Sequence, residues 1–142
     1  MNHMEAGRTI ALEDRPVDVK LNLAALWTSV MFCYIYADYF GLFVPGTLQS
    51  MLADRMQPLG PVTQGMLVGT SAMLAVPAVM ICVSVVAPAR VNRVLNIIFG
   101  ILYSGIIAIT MWSWMFYVFY GVVEITLTLL VAWYAFRWPR EA

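Results

Sequence analysis

Two acidic residues stand inside long apolar runs of this sequence, where a carboxyl group is unexpected. Asp38 lies in "YIYADYFG" and Glu124 in "YGVVEITL", and no other Asp, Glu, Lys, Arg or His lies well inside such a run. Each acid follows a tyrosine by four residues, Tyr34 and Tyr120, a spacing that places both side chains on one helix face. Carboxyls in such surroundings take up and release protons, bind cations or donate hydrogen bonds.

Four apolar stretches must position these acids, and each is long enough to span a membrane. A bilayer's hydrocarbon core is about 30 Å thick and needs roughly 20 apolar residues per helix. Composition agrees, since 62% of residues are hydrophobic and 11% are charged. The predicted spans are residues 21–44, 64–87, 94–113 and 116–136. The predicted fold class is all-α: a four-transmembrane-helix bundle in one domain, 21–138, between a polar tail, 1–20, and a short tail, 139–142.

Basic residues are concentrated on one side of the predicted spans. They are Arg8, Arg15 and Lys20 before span one, Arg90 and Arg93 between spans two and three, and Arg137 and Arg140 after span four. The other side holds only Arg55. The positive-inside rule therefore predicts a multi-pass protein with both termini in the cytoplasm. The first twenty residues are mixed in charge, unlike a signal peptide, so we expect no cleavage.

The outer loop, residues 45–61, predicts one further element. In "TLQSMLADRM" the leucines and methionines recur at helical spacing, and polar side chains take the other face. This pattern is typical of a short interfacial helix. Two roles stay open for it, a structural cap over the bundle or a gating lid. Arg55 in this segment is a candidate gate, since it is the only cation able to reach the two acids.

Depth along the helices places both acids in one layer. At 1.5 Å per residue, Asp38 lies about 10 Å and Glu124 about 12 Å below the outer ends of their spans. The other spans cross that layer near residues 70–71 and 103–104. We expect an inward-facing polar belt whose candidate ligand-binding or proton-binding residues are Asp38, Glu124, Tyr34, Tyr120, Ser71 and Ser104. Because the first and fourth spans run in opposite directions, each phenol could bond to the other helix's carboxyl.

The energy of a buried charge bears on the state of these acids. An acid at mid-helix costs about 2.5 to 3.5 kcal/mol, and no Lys or Arg lies at that depth. Loss of water and a nearby like charge both favour the neutral form, so we expect at least one acid to be protonated at neutral pH if the two meet. Two interpretations stay open: a proton or cation site, or interhelical hydrogen bonds worth about 0.6 kcal/mol each.

Other reactive residues predict no further site. Cys33 and Cys82 lie about 18 Å and about 7 Å from the inner face, which is too far apart for a disulfide. No histidine lies within a span to hold haem or a metal, and no phosphate loop or nucleotide fingerprint occurs. We therefore expect no metal, no cofactor and, with a formal net charge of zero, no nucleic acid partner.

Three residues shape the second and third spans. Pro77 lies mid-span and frees a carbonyl one turn back, which indicates either a hinge or a static kink. Asn92 and Asn96 accompany two arginines at the inner start of span three. Snorkelling and helix capping explain this polar group.

Longer segments of the sequence resemble a known family. They are "YIYADYFGLFVPG", "VPAVMICVSVVAPARVNRVLNIIFG" and "YVFYGVVEITLTLLVAWYAFRW". Over residues 21–138 the chain resembles a bacterial family of small four-helix membrane proteins described as a domain of unknown function, and it is distantly similar to DoxX-type bundles. The resemblance implies a bacterial inner-membrane protein without a settled activity. Relatives often carry an acidic residue just before the span-two proline, where this chain has Ala75 and Val76.

Three classes of function fit these observations. The first is a proton-linked carrier of a small solute, for which a homodimer would be reasonable. The second is a structural or accessory subunit that binds another membrane protein and whose acids only tie helices together. The third and less favoured is an enzyme acting on lipid or quinone, which would need a lateral opening beside Asp38. Small-residue pairs, Gly65 with Gly69 and Gly100 with Ser104, are expected to pack the bundle itself rather than a dimer.

Overall fold

The computed structural model describes residues 16–139, and within them it contains five α-helices. They are α1 Val19–Gly41, α2 Thr47–Leu52, α3 Gln64–Val86, α4 Ala89–Thr110 and α5 Met115–Phe136. All but α2 are long and apolar enough to cross a membrane. The predicted all-α four-helix bundle with a short helix in its first long loop is confirmed. Most of the N-terminal tail (1–15) and residues 140–142 lie outside the described residues.

Local sequence explains where the long helices begin. The Asp18 side chain accepts a hydrogen bond from the Lys20 amide at 2.7 Å and caps α1. Thr63 caps α3 in the same way. Pro88 directly precedes α4, and its restricted backbone leads into a helix without needing an amide donor. For this reason α4 begins at Ala89, five residues before the predicted start of its span, and "PARVNR" is largely helical rather than a separator.

The four long helices form an incompletely closed bundle. α1 packs against both α3 and α5, and α5 packs against α4, whereas α3 and α4 make few contacts although they follow each other in the chain. We call the end that carries residues 42–63 the loop end. The opposite end, which carries Lys20, Arg90, Arg93 and Arg137, is the basic end. The Lys20 ammonium donates to the Ala87 carbonyl at 2.9 Å and so binds the last turn of α3 to the start of α1.

The densest packing lies in the half of the bundle next to the basic end. Leu23, Trp27 and Val30 of α1 and Val131 and Ala135 of α5 are all fully buried. Large apolar side chains elsewhere on the four long helices are exposed, among them Ile35, Val79, Ile101 and Leu129. An outer surface of this kind is unfavourable in water and suits contact with lipid.

A buried polar network crosses this dense half and corrects one prediction. The Trp27 indole donates to Asn96 Oδ1 at 2.7 Å, Asn96 Nδ2 donates to Asn92 Oδ1 at 2.6 Å, and Asn92 Nδ2 donates to the Ser84 carbonyl at 2.6 Å. All four residues are 0% exposed. Asn92 and Asn96 are therefore not capping or snorkelling groups. Because α4 begins at Ala89, both amides lie inside the helix and face its neighbours.

Close contact between α4 and α5 depends on small residues. A Cβ atom at Gly100 would lie 2.8 Å from the Thr128 carbonyl oxygen and 3.1 Å from the Ala132 Cβ. The Ser104 and Thr128 hydroxyls are 2.7 Å apart and share a hydrogen bond. The predicted packing role of Gly100 and Ser104 is confirmed. The same prediction is wrong for Gly65 and Gly69, where an added Cβ would meet nothing within 4 Å.

The loop end carries structure that the sequence did not predict. After α2, strands β1 Arg55–Met56 and β2 Gly60–Pro61 pair antiparallel. The Val62 amide donates to the Asp54 carbonyl at 2.8 Å and closes the base of this hairpin. Two-residue strands interrupted by proline and glycine give no alternating pattern, so the hairpin left no signal in the sequence.

Candidate functional site

A cavity of about 340 Å³ lies between the four long helices in the half of the bundle next to the loop end. Every long helix contributes to its wall, and the hairpin contributes Pro58. The lining residues are Tyr34, Ala37, Asp38, Pro58, Met73, Leu74, Tyr103, Ile106, Ile107, Thr110, Met111, Tyr117, Tyr120, Gly121 and Glu124. We call it the acidic cavity, because its wall contains both membrane-embedded acids and no Lys, Arg or His.

The two acids reach the acidic cavity from different helices and lie at different distances from their helix ends. Asp38 lies three residues before the end of α1, and Glu124 lies nine residues after the start of α5. At 1.5 Å per residue these positions are about 4.5 Å and about 13.5 Å from the helix ends. Asp38 lies nearer to the end of its helix than predicted, because α1 ends at Gly41 rather than at Val44. Both side chains nevertheless line the same cavity.

Burial and bonding of the two carboxyls differ from those of the polar network. Glu124 is 5% exposed, whereas Asp38 is exposed. Within residues 16–139 neither carboxyl has a hydrogen-bond partner, and both residues line the acidic cavity. The backbone carbonyl of Glu124 does accept from the Thr128 hydroxyl at 2.8 Å. The acids are thus held in place by their helices and form part of the cavity wall.

Tyrosines line the acidic cavity without bonding to the acids. The phenol–carboxyl hydrogen bonds expected for Tyr34 and Tyr120 are absent from the described part of the chain. The Tyr120 ring instead stacks on Phe40, with ring centroids 6.4 Å apart. Aromatic packing therefore sets the orientation of this ring, and its edge forms part of the cavity wall.

Tyr103 forms the floor of the acidic cavity through an interaction that Pro77 makes available. Proline has no amide hydrogen, so the carbonyl four residues earlier, that of Met73, has no intrahelical donor. The Tyr103 hydroxyl donates to this carbonyl and joins α4 to α3 across their loosely packed edge. The Tyr103 ring also stands edge-on to Trp27, with centroids 6.1 Å apart. The carbonyl that Pro77 leaves without an amide donor is therefore satisfied, which favours the static interpretation over a hinge.

Three predicted site residues do not line the acidic cavity. Ser71 is exposed on the outside of α3. The Ser104 hydroxyl is 8% exposed and is bound to the Gly100 carbonyl and to Thr128, within the contact between α4 and α5. Arg55 lies exposed in β1, and Pro58 is the loop residue that reaches the cavity. Depth was the basis for the two serines, but depth does not determine the direction in which a side chain points.

Tyr117 is a cavity residue that the candidate site residues from the sequence did not include. It lines the acidic cavity together with Glu124, which follows it by seven residues on the same face of α5. Gly41 makes room for it, since a Cβ there would collide with the Tyr117 hydroxyl. The seven-residue spacing was the signal that could have identified this residue.

A second groove at the loop end lacks the acidic side chains of the acidic cavity. It is also about 340 Å³ in volume and is lined by Phe40, Phe43, Val44, Trp114, Phe116, Phe119 and Tyr120. Its wall contains no acid, amide or basic group. Exposed aromatic side chains at helix ends are typical of the membrane–water interface. We therefore place the candidate site in the acidic cavity.

The chemistry available in the acidic cavity is proton exchange and cation binding. Two carboxyls and several phenols are present, with no basic side chain to neutralise them. Within residues 16–139 no group of three or more His, Cys, Asp or Glu is arranged to hold a metal ion. Cys33 and Cys82 are both free thiols.

Four apolar spanning helices around one acidic cavity define a small multi-pass membrane protein. Residues 14–142 match the profile described as "Family of unknown function (DUF6326)", and the chain belongs to that family. No curated protein and no solved structure matches the chain. The expected family of unknown function is thereby confirmed, whereas bacterial origin and likeness to DoxX-type bundles stay predictions.

Proposed function

We propose that this protein is a proton-linked carrier of a small solute and that Asp38 and Glu124 form its acidic pair. The observation that carries the proposal is two carboxyls facing one cavity without hydrogen-bond partners in the described residues. For Glu124, which lies well inside α5, an acid at mid-helix is unfavourable by about 2.5 to 3.5 kcal/mol. An embedded carboxyl that makes no stabilising hydrogen bond is better explained by a role in ligand binding than by a role in holding the helices together.

The alternative, an accessory subunit whose acids only tie helices together, requires bonds from these acids to other helices. This chain joins helices in another way, through Trp27, Asn92 and Asn96, whose donors and acceptors are paired at 2.6 to 2.7 Å. Comparable partners are lacking around Asp38 and Glu124 in residues 16–139. The contrast favours a carrier.

The shape of the bundle also supports a carrier. The acidic cavity lies toward the loop end, and Tyr103 with Trp27 and the dense core fill the path to the basic end. A carrier exposes its site to one side of the membrane at a time. This arrangement matches the form that is accessible from the loop end and closed at the basic end.

We further propose that the basic end faces the cytoplasm of a bacterium and that both termini lie inside the cell. Among the described residues, Lys20, Arg90, Arg93 and Arg137 lie at the basic end, and Arg55 is the one basic residue at the loop end. Positive residues are retained on the cytoplasmic side during membrane insertion. The acidic cavity would then be accessible from outside the cytoplasmic membrane.

The test uses purified protein reconstituted into liposomes that enclose a pH-sensitive dye. A panel of small cationic, neutral and anionic solutes is added in turn, and internal pH is recorded. We expect at least one solute class to cause proton movement in the wild type, and Glu124→Gln and Asp38→Asn to abolish it. Asp54→Asn is the matched control, because it removes an exposed loop-end acid that does not line the cavity.

Two results would refute the carrier. In one, no solute class moves protons in the wild type. In the other, proton movement survives in both cavity variants or is lost equally in Asp54→Asn.

A further inference from the structure

We infer that the acidic cavity binds a small organic cation, an amine or quaternary ammonium group carried on an apolar body. The inference rests on the proposed function, since it names the class of solute that the carrier would move. It depends on the charge, the wall chemistry and the volume of the cavity.

The charge of the cavity selects for a positive ligand. The titratable groups that face it are Tyr34 and Asp38 from α1, Tyr103 from α4, and Tyr117, Tyr120 and Glu124 from α5. The contributions of α3 and of the hairpin, Met73, Leu74 and Pro58, carry no charge. An anion would therefore meet two acids and no cation in a setting where like charges repel strongly.

The remaining wall selects for an organic cation rather than a bare metal ion. Metal ions such as Ca²⁺ or Mg²⁺ require about six or more closely placed oxygen ligands, and no metal-holding group is present in residues 16–139. Met73, Leu74, Ile106 and Ile107 instead form apolar surface. Aromatic faces attract alkylammonium groups within about 6 Å. Acids, phenols and apolar side chains together match a cationic head on an apolar body.

The volume limits the size of the ligand. Small-molecule pockets range over roughly 300 to 1,000 Å³, and about 340 Å³ lies at the lower end of that range. A single aromatic ring with an ammonium group is an appropriate probe for such a space.

Cation binding also supplies a reason for proton linkage. When an ammonium ion pairs with a carboxylic acid, the O–H bond breaks, the proton leaves to water, and the remaining carboxylate neutralises the cation. Charge is conserved, with one proton released for each acid that becomes ionised. A carrier working in this way exchanges protons for the organic cation.

The experiment measures binding of benzyltrimethylammonium to the full chain in detergent micelles by calorimetry. Benzyl alcohol and benzenesulfonate serve as neutral and anionic comparators with the same ring. We expect the cation to bind at least tenfold more tightly than either comparator and to release protons, which a pH indicator detects in weak buffer. Glu124→Gln should weaken cation binding tenfold or more, whereas Asp54→Asn should leave it unchanged.

Asp38→Asn is the second variant, in case Glu124→Gln does not fold, and circular dichroism checks both. Equal binding of the cation and benzyl alcohol, preference for benzenesulfonate, or equal binding by wild type and both cavity variants would overturn the inference. The liposome panel separates the two proposals. If only neutral or anionic solutes move protons, the organic-cation inference fails and the carrier stands. If the cation binds through the acids but no solute moves protons, the carrier fails and the cation site stands.

Discussion

Both halves of this bundle contain polar side chains, but the polar network of one half is hydrogen-bonded and the two acids of the other are not. Next to the basic end, Trp27, Asn92 and Asn96 are fully buried and bonded to one another. Next to the loop end, Asp38 and Glu124 face a cavity and have no hydrogen-bond partners among residues 16–139. Polarity within a membrane-spanning helix therefore does not by itself distinguish a structural group from a functional one. The two halves differ in whether these polar groups have hydrogen-bond partners, and the variants below test that difference.

The first prediction has the largest expected effect. It tests whether the polar network next to the basic end stabilises the bundle. Asn96→Leu removes the acceptor of the Trp27 indole and the donor to Asn92, and it leaves buried polar atoms without partners. Each such orphaned group is unfavourable by about 1 to 3 kcal/mol. We expect the free energy of unfolding to fall by about 2 to 3 kcal/mol, measured by SDS titration in mixed micelles.

Ser29→Ala is the control for this change, because the Ser29 hydroxyl is exposed and bonds only to the Ala25 carbonyl of its own helix. Its unfolding should resemble that of the wild type. Wild-type stability in Asn96→Leu would mean that the network does not hold the basic half together, and the contrast between the halves would disappear.

The second prediction concerns helix contact in the middle of the bundle. Gly100→Ala places a Cβ 2.8 Å from the Thr128 carbonyl oxygen, which belongs to backbone and cannot move freely. Crowding of this kind is unfavourable by about 1 to 3 kcal/mol. We expect a loss of about 1 to 2 kcal/mol in the same titration.

Gly105→Ala on the same helix is the matched control, because nothing lies within 4 Å of its added Cβ. It should be neutral or slightly stabilising, since alanine favours a helix over glycine. Equal destabilisation by both substitutions would show that glycine flexibility, rather than contact with α5, is what matters in α4.

The third prediction tests the floor that separates the two halves. Tyr103→Phe removes the hydroxyl that donates to the Met73 carbonyl, and it should lower stability by about 1 kcal/mol. Pro77→Ala restores an amide that can donate to the same carbonyl. The effect of Tyr103→Phe should therefore be smaller in the Pro77→Ala background, as a double-mutant cycle measures. Additive effects would separate Tyr103 from the proline kink.

The sequence predicted the helices well because apolar runs of about 20 residues have one physical explanation. It also identified Asp38, Glu124, Tyr34 and Tyr120, since charge and four-residue spacing can be read directly. It could not predict how each helix is rotated about its axis. α3 is apolar on all sides, so nothing in its sequence showed that Ser71 faces outward. Rotation depends on partners elsewhere in the chain, as for Asn96 with Trp27.

The start of α4 was the other source of error. The segment "PARVNR" contains proline, asparagine and arginine, which are typical of a turn, yet only Pro88 lies outside the helix. This error affected the expected role of Asn92 as well as the expected length of the helix. A separator would leave Asn92 near the surface, whereas the observed helix places its amide against Ser84 in the core.

The last prediction has the smallest expected effect on stability. It tests whether the two acids next to the loop end contribute to holding the bundle together. Glu124→Gln keeps the size of the side chain and removes its acidity, and no bond from this carboxyl is lost because none is present in the described residues. The free energy of unfolding should therefore change by less than about 0.5 kcal/mol, as for sites without specific partners. Asp38→Asn should behave alike. If either variant lost as much stability as Asn96→Leu, the acids would be structural groups and the two halves would be alike. If both stay stable while solute-dependent proton movement is lost, the acids serve the activity rather than the stability of the bundle.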